Sequence, residues 1–151
     1  MISFGIFKDW HCGCSHSLVY TSVFMPTQTS SILLVEDDPS LQENLRDFLQ
    51  DNGFDTHTAG SRSEGQRLLR SLRPAVCLLD LNLPDGSGLD LLRLIVAENL
   101  PVRVIVMSAL PLPRLRQQFP PTVLVAMMTK PVSPQHLLEC VDRITRGIDS
   151  P

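Results

Sequence analysis

The sequence predicts an α/β fold in which a parallel sheet of five strands is covered by helices on both faces. From residue 31 onward, short apolar runs alternate with helical patterns, and this alternation is typical of parallel strands joined by right-handed crossovers. The run 76–80 lies between two prolines and is apolar until it ends in Asp80, as expected of a fully buried strand. The 151 residues, 43% of them hydrophobic, suffice for one domain with a substantial core.

The five strands are predicted from apolar runs that end in polar residues or turns. The second run contains more polar residues than the others, so we place that strand nearer an edge of the sheet. In chain order the predicted strands are 32–35, 54–59, 76–80, 102–107 and 122–128.

The helices are predicted from capping residues and from apolar residues at helical spacing. Asp38 followed by Pro39 is a typical helix start, and Asn52 with Gly53 ends that first helix. Ser61 and Glu64 have the spacing of a capping box, which predicts a second helix. The apolar stripes of the first, second, third and last helices fall at 41–49, 68–72, 91–96 and 137–144.

The segment between the fourth and fifth strands is unusual because it contains four prolines, at positions 111, 113, 120 and 121. Each proline disfavours a helical conformation in the residue before it. We therefore predict that the fourth helix is short or irregular and extends at most over 114–119.

The domain is predicted to span 30–147, preceded by an extension at 1–29 and followed by a tail at 148–151. The extension contains the single Trp, the single Tyr and two of the four Cys, and we expect it to be disordered. Its run 11–16, His-Cys-Gly-Cys-Ser-His, does not have a standard zinc spacing. A chain beginning at Met25 would carry only a short polar lead into the first strand.

The net charge of −3 argues against a general nucleic-acid binder, which would carry a basic surface. No apolar run is long enough to cross a membrane. Cys77 lies in an apolar strand and Cys140 in a helical pattern, so both are predicted to be buried thiols. We expect a reducing, cytoplasmic location.

Polar residues end four of the five strands. Glu36 and Asp37 follow the first strand, Asp80 ends the third, Ser108 follows the fourth and Lys130 follows the fifth. The carboxyl ends of parallel strands share one edge of the sheet, where ligands bind in such folds. Neighbouring strands lie about 4.8 Å apart, so these side chains should come within reach of one another.

This set of residues suits phosphoryl transfer. Three clustered carboxylates repel one another unless a cation lies between them, and oxygen ligands suit Mg²⁺. Lys130 supplies a positive charge and Ser108 a hydroxyl donor, which together could stabilise a transferring phosphoryl group. Asp80, on the strand predicted to be central, is the expected nucleophile and would form an aspartyl-phosphate.

Residues from about 31 to 147 resemble the receiver domain of two-component response regulators. The resemblance is carried by four motifs in order: Leu-Val-Glu-Asp-Asp at 34–38, Leu-Asp-Leu-Asn-Leu-Pro-Asp-Gly-Ser-Gly at 79–88, Met-Ser-Ala at 107–109 and Thr-Lys-Pro at 129–131. It implies a flavodoxin-like sheet with strand order 2-1-3-4-5.

The resemblance also implies a role for each site residue. Asp80 resembles the phosphoacceptor, and Glu36 and Asp37 resemble the acidic pair that binds Mg²⁺, with Asp37 the closer contact. The backbone carbonyl of Asn82 would be a further metal ligand. Ser108 would bond a phosphoryl oxygen, Lys130 would pair with the phosphate, and the peptide between Lys130 and Pro131 would be cis.

The implied partners follow from the same resemblance. Phosphate would come from a sensor histidine kinase or a phosphotransfer protein, and a downstream protein target would recognise the result. We expect a signalling switch rather than an enzyme, with no direct nucleic-acid binding by this domain, no membrane contact and weak homodimerisation.

Two features depart from the family pattern. Val123 and Leu124 occupy the place where the family usually has a Gly-Ala pair, and Met127 replaces the aromatic residue three positions before the lysine. That aromatic residue normally moves when the hydroxyl residue engages phosphate. The chemistry is therefore expected to be intact, while the transmission of the signal is predicted to differ.

Three other functions compete with this one. The main alternative is a receiver-like protein-binding module that works without phosphorylation. A haloacid-dehalogenase-type phosphatase would need a second acid two residues after the nucleophile, where this chain has Asn82. A flavodoxin would need a phosphate-cradling loop after the first strand, where the acidic run 36–38 would repel phosphate.

Overall fold

A computed structural model of the protein describes residues 29–147. Its sheet strands are β1 (Ser31–Val35), β2 (Asp55–Ala59), β3 (Val76–Asp80), β6 (Arg103–Ser108) and β7 (Leu124–Thr129). They form one parallel sheet in the order β2-β1-β3-β6-β7. Counting these five strands alone, the order is 2-1-3-4-5, which confirms the predicted flavodoxin-like fold. Two short strands, β4 (Asn82–Leu83) and β5 (Gly86–Ser87), pair antiparallel as a separate hairpin.

Five helices connect the strands. They are α1 (Pro39–Asp51), α2 (Arg62–Leu72), α3 (Leu89–Ala97), α4 (Leu115–Gln118) and α5 (Pro134–Thr145). The predicted caps are confirmed: the Asp38 side chain accepts hydrogen bonds from the amides of Ser40 and Leu41, and Ser61 accepts one from Glu64. Ser133 caps α5 in the same way.

The hydrophobic core lies on both faces of the sheet because consecutive strand residues point to opposite sides. Leu33 and Val35 pack in the cluster that contains α2 and α3 residues. Ile32 and Leu34 pack in the cluster that contains α1 and α5 residues. The central strand β3 is buried along its whole length, as a strand covered on both faces must be.

The region around α4 differs most from a regular α/β unit. The helix has four residues, which confirms the prediction of a short fourth helix. Strand β7 begins at Leu124 rather than at 122, because the amides of Val123 and Leu124 both donate to the carbonyl of Pro120 in a turn. The register then shifts: Leu124 pairs with Val104 and Ala126 with Ile105. Val125 is therefore an additional residue, as in a β-bulge.

The predicted extension 1–29, except Thr29, and the tail 148–151 lie outside the described residues, as does the run 11–16. The domain boundaries accordingly stay a prediction. Cys77 and Cys140 are buried free thiols, as predicted, and burial raises the pKa of Cys77 to about 12. In the described part of the chain, no helix has the length and apolar character needed to cross a membrane.

Candidate functional site

The site lies at the carboxyl edge of the sheet, where four strands end side by side. The central position of β3 places Asp80 between the end of β1, which leads into Glu36 and Asp37, and the end of β6, which carries Ser108. Glu36, Asp80 and Ser108 are all buried. The Glu36 amide donates to the carbonyl of Ala59 on β2, which holds the end of β1 in place.

Lys130 joins the two buried carboxylates. Its Nζ atom lies 2.7 Å from Glu36 Oε2 and 2.7 Å from Asp80 Oδ2. The Lys130 amide donates to the carbonyl of Ser108 at 2.8 Å, and the peptide between Lys130 and Pro131 is cis, as the family resemblance implies. The end of β7 thus directs the lysine across two strands toward Asp80.

The other carboxylate oxygens accept hydrogen bonds from the backbone. Asp80 Oδ1 accepts one from the amide of Asn82 at 3.0 Å. Glu36 Oε1 accepts one from the amide of Asp38 at 3.2 Å. Each buried carboxylate is therefore held at both oxygens, so its orientation is set before any ligand arrives.

The local electrostatics follow from this burial. Desolvation raises the pKa of Glu36; the hydrogen bond from Lys130 opposes this shift, and the nearby charge of Asp80 adds to it. Burial alone would lower the pKa of Lys130, but its hydrogen bonds with Asp80 and Glu36 outweigh that effect, and its pKa is raised. Lys130 therefore stays charged at neutral pH and compensates part of the negative charge at the site.

The carboxylates are close enough to share a cation. Oxygen atoms of Glu36, Asp37 and Asp80 all lie within 4.8 Å of one another. Asp37 is exposed and accepts no hydrogen bond from the described residues, so its carboxylate is available to a cation. Hard oxygen donors with open solvent positions are what Mg²⁺ prefers, and the residues present fit this ion.

Ser108 and Asn82 flank Asp80. In the sheet Asp80 pairs with Met107, so Ser108 lies one position further along the neighbouring strand. Its Oγ accepts a hydrogen bond from the amide of Leu110 at 3.2 Å. Asn82 follows Asp80 by two residues and begins the β4–β5 hairpin. All the residues predicted from the sequence therefore meet at one edge.

Two residues that support the site were not singled out from the sequence. The carboxylate of Asp85 accepts hydrogen bonds from the amides of Arg62 and Ser63, 22 to 23 residues earlier in the chain. Gly88 lies against the carbonyl of Asp80 with no room for a side chain. Both residues lie in the motif at 79–88. However, no sequence spacing indicates the contact of Asp85 with the start of α2 or the close approach of Gly88 to the Asp80 carbonyl.

Comparison with known proteins agrees with this architecture. Residues 32–142 match the response regulator receiver domain. The chain is 44% identical over 75 residues to the DNA-binding response regulator MtrA of Mycolicibacterium smegmatis, an alignment that covers 50% of this chain and 33% of that relative. It is 33% identical over 78 residues to the photosynthetic apparatus regulatory protein RegA of Cereibacter sphaeroides, covering 52% of this chain and 42% of that protein. The alignments thus span less than half the length of these relatives.

Solved structures show the same fold. The receiver domain of Francisella response regulator 1452 superposes with a TM-score of 0.72 at 23% identity, covering 80% of this chain and 99% of that one. The response regulator TrrA of Thermotoga maritima, solved in complex with Mg²⁺ and BeF, superposes with a TM-score of 0.65 at 24% identity. The superposition covers 76% of this chain and 98% of that one.

Proposed function

Because the chain belongs to the response regulator receiver domain family, we propose that it accepts a phosphoryl group on Asp80 in a Mg²⁺-dependent reaction. The donor would be the phosphohistidine of a sensor histidine kinase or of a phosphotransfer protein. The observation that carries the proposal is the placement of buried Asp80, with Lys130 Nζ 2.7 Å from one oxygen and the acidic pair beside it.

In the proposed reaction an Asp80 carboxylate oxygen attacks phosphorus. A P–O bond forms, the P–N bond to the donor imidazole breaks, and the imidazole leaves with the electron pair and is protonated. The product is an acyl phosphate on Asp80. Lys130, already beside Asp80, neutralises one phosphoryl oxygen, and the Ser108 hydroxyl donates to another.

The acidic pair gives the site its metal requirement. Glu36, Asp37, Asp80 and the backbone carbonyl of Asn82 would hold Mg²⁺, with Asp37 the closer contact of the acidic pair. When bound, the ion neutralises the carboxylates and the incoming phosphoryl oxygens. The three carboxylates would otherwise repel the phosphoryl donor.

The phosphorylated state is proposed to act as a signalling switch that a downstream protein target recognises. The relatives named above include a DNA-binding regulator, but their aligned part is less than half of their length. We propose that the described domain does not itself bind nucleic acid, that it works in the cytoplasm and that it self-associates weakly.

Acetyl phosphate with Mg²⁺ tests the proposal directly. Intact mass should increase by one phosphoryl group in the wild type, and the increase should disappear with EDTA or in Asp80→Asn. Asp47→Asn is a matched control, because Asp47 is an exposed carboxylate on α1, outside the site; it should be labelled like the wild type. Label in Asp80→Asn, or equal label without metal, would refute the assignment. Complete absence of label would favour the phosphorylation-independent binding module.

A further inference from the structure

The tip of the β4–β5 hairpin is attached to the first turn of α2 through Asp85. Asp85 Oδ1 accepts a hydrogen bond from the amide of Arg62 at 2.6 Å, and Oδ2 accepts one from the amide of Ser63 at 2.8 Å. The Ser63 hydroxyl donates to the same Oδ2 at 2.5 Å. The first amides of a helix have no partner within the helix, so a residue from the hairpin satisfies them here.

These hydrogen bonds make the attachment strongest when Asp85 is ionised. The Ser63 hydroxyl, together with the amides of Ser63 and Arg62, lowers the pKa of Asp85 to about 2. The carboxylate is also favoured by the positive end of the helix dipole. The attachment is thus in place throughout the neutral range.

Arg62 extends the attachment to α3. Its side chain lies across Gly86, where a Cβ atom would be 3.0 Å from Arg62 Nε. Gly86 has a φ of 146°, a backbone conformation that favours glycine. Beyond Gly86, Arg62 Nη1 donates to Asp90 Oδ2 at 3.1 Å. The hairpin is therefore held between α2 and α3.

The hairpin needs such support because it is very small. It has two residue pairs, Asn82 with Ser87 and Leu83 with Gly86, and a lone two-stranded hairpin is marginally stable in water. Its first residue, Asn82, donates its amide to Asp80 and carries the carbonyl assigned to the metal. Movement of the hairpin would therefore displace that carbonyl.

We propose that Asp85 is a positioning residue, which holds the β4–β5 hairpin on α2 so that the Asn82 carbonyl is fixed for Mg²⁺. This inference rests on the proposed function for its metal, but the attachment of the hairpin itself does not. Loosening the hairpin would lower the affinity for Mg²⁺, so phosphorylation would require a higher Mg²⁺ concentration. Saturating Mg²⁺ would restore phosphorylation.

Two variants at the start of α2 separate this role from simple helix capping. Asp85→Ala removes the attachment, and alanine is tolerated there because Asp85 does not have a positive φ. The other cap of the same helix is the Ser61 hydroxyl, which accepts a hydrogen bond from the Glu64 amide at 3.2 Å. Ser61→Ala removes this cap and leaves the hydrogen bonds between Asp85 and α2 in place. Asp85→Asn keeps an acceptor oxygen and serves as the conservative variant if Asp85→Ala fails to fold.

The measurements use the full chain: Mg²⁺ affinity by amide-shift titration, and hydrogen exchange of the Asn82 and Leu83 amides without metal. We expect Asp85→Ala to weaken Mg²⁺ binding about tenfold, the lower end of what outer partners of metal ligands contribute, and to speed exchange in the hairpin. Asp85→Asn should lie between Asp85→Ala and the wild type, and Ser61→Ala should match the wild type in both measurements.

Unchanged affinity and exchange in Asp85→Ala, or equal losses in Ser61→Ala, would overturn the inference. A wild type that binds no Mg²⁺ would instead overturn the metal step of the proposed function. In that case the exchange rates alone would still decide whether Asp85 holds the hairpin.

Discussion

Gly88 lies directly against the backbone carbonyl of Asp80, in a space that a Cβ atom cannot share. A Cβ on Gly88 would overlap the Asp80 carbonyl oxygen and would lie 2.9 Å from Leu81 Cα. The Gly88 amide also donates to the Leu81 carbonyl at 2.8 Å. All the obstructing atoms belong to the backbone that leaves β3, so they cannot move away without moving Asp80.

Gly88→Ala should therefore lower the free energy of unfolding and impair the site together. We expect a loss of about 2–3 kcal/mol, as for an overpacked position, and slower phosphorylation of Asp80. Gly60→Ala is the matched control, because a Cβ at Gly60 meets nothing within 4 Å. Denaturant unfolding and acetyl-phosphate labelling measure the two effects. A Gly88→Ala variant as stable and as reactive as Gly60→Ala would contradict the close contact.

Removal of Lys130 should destabilise the domain in a pH-dependent way. Lys130→Met leaves Glu36 and Asp80 buried without their cation, and breaking such a pair costs about 3 kcal/mol at neutral pH. The pKa of Glu36, already raised by burial, should rise further. An acid whose folded pKa lies above its unfolded value favours folding at low pH, and that contribution is lost as pH rises through the folded pKa.

The loss should therefore be smallest near pH 4 and should grow toward neutral pH, as measured by urea unfolding at several pH values. Mg²⁺ should restore part of the stability, because it replaces the missing positive charge. Arg46→Met is the control: Arg46 makes ion pairs with Glu43 and Asp47 at the surface, where such pairs contribute at most about 1 kcal/mol. A Lys130→Met deficit that stays constant with pH would refute the coupling to Glu36.

The location of the site was predictable because each of its main residues ends a strand. Once the alternation predicts a parallel sheet, the residues after the strands must share an edge, and Glu36, Asp80 and Lys130 do so. The roles of Asp85 and Gly88 were not predictable in this way. Their contacts depend on where α2 and the hairpin lie in space, and neither contact has a sequence spacing of its own.

The boundaries of β7 were missed for a related reason. We predicted the strand from residue 122, but the amides of Val123 and Leu124 donate to the Pro120 carbonyl in a turn, so the strand begins only at Leu124. The bulge at Val125 also changes which residues face each side. Val125 and Ala126 both pack against the cluster that contains α1 and α5 residues, so strict alternation fails there.

A chain that begins at Met25 should fold like the full chain. Within residues 29–147, both faces of the sheet are already covered by helices, and the core residues of β1 are completely buried. Thermal unfolding of the shortened chain should have nearly the same midpoint as that of the full chain. A decrease of several degrees would show that the first 24 residues contribute to the folded domain.

Phosphorylation should change the surface around α4 less than it does in a typical receiver. A switch requires that the bound group interact differently with two conformations, and in the family an aromatic residue follows the movement of the hydroxyl corresponding to Ser108. Here that position is Met127, which is half-buried beside β6 and has flexible, apolar atoms. Met127 packs against the core cluster that contains α2 and α3 residues and also borders a surface groove of about 820 Å³, which offers space for other rotamers.

The short α4 limits the response further, because only Leu115–Gln118 are helical there. We expect that beryllofluoride with Mg²⁺ shifts amide signals strongly beside Asp80 and weakly over 110–128. Met127→Tyr, which restores an aromatic ring at this position, should enlarge the changes over 110–128, whereas Met127→Leu should leave them small. Large changes over 110–128 in the wild type, comparable with those beside Asp80, would show that Met127 transmits the signal as well as an aromatic residue does.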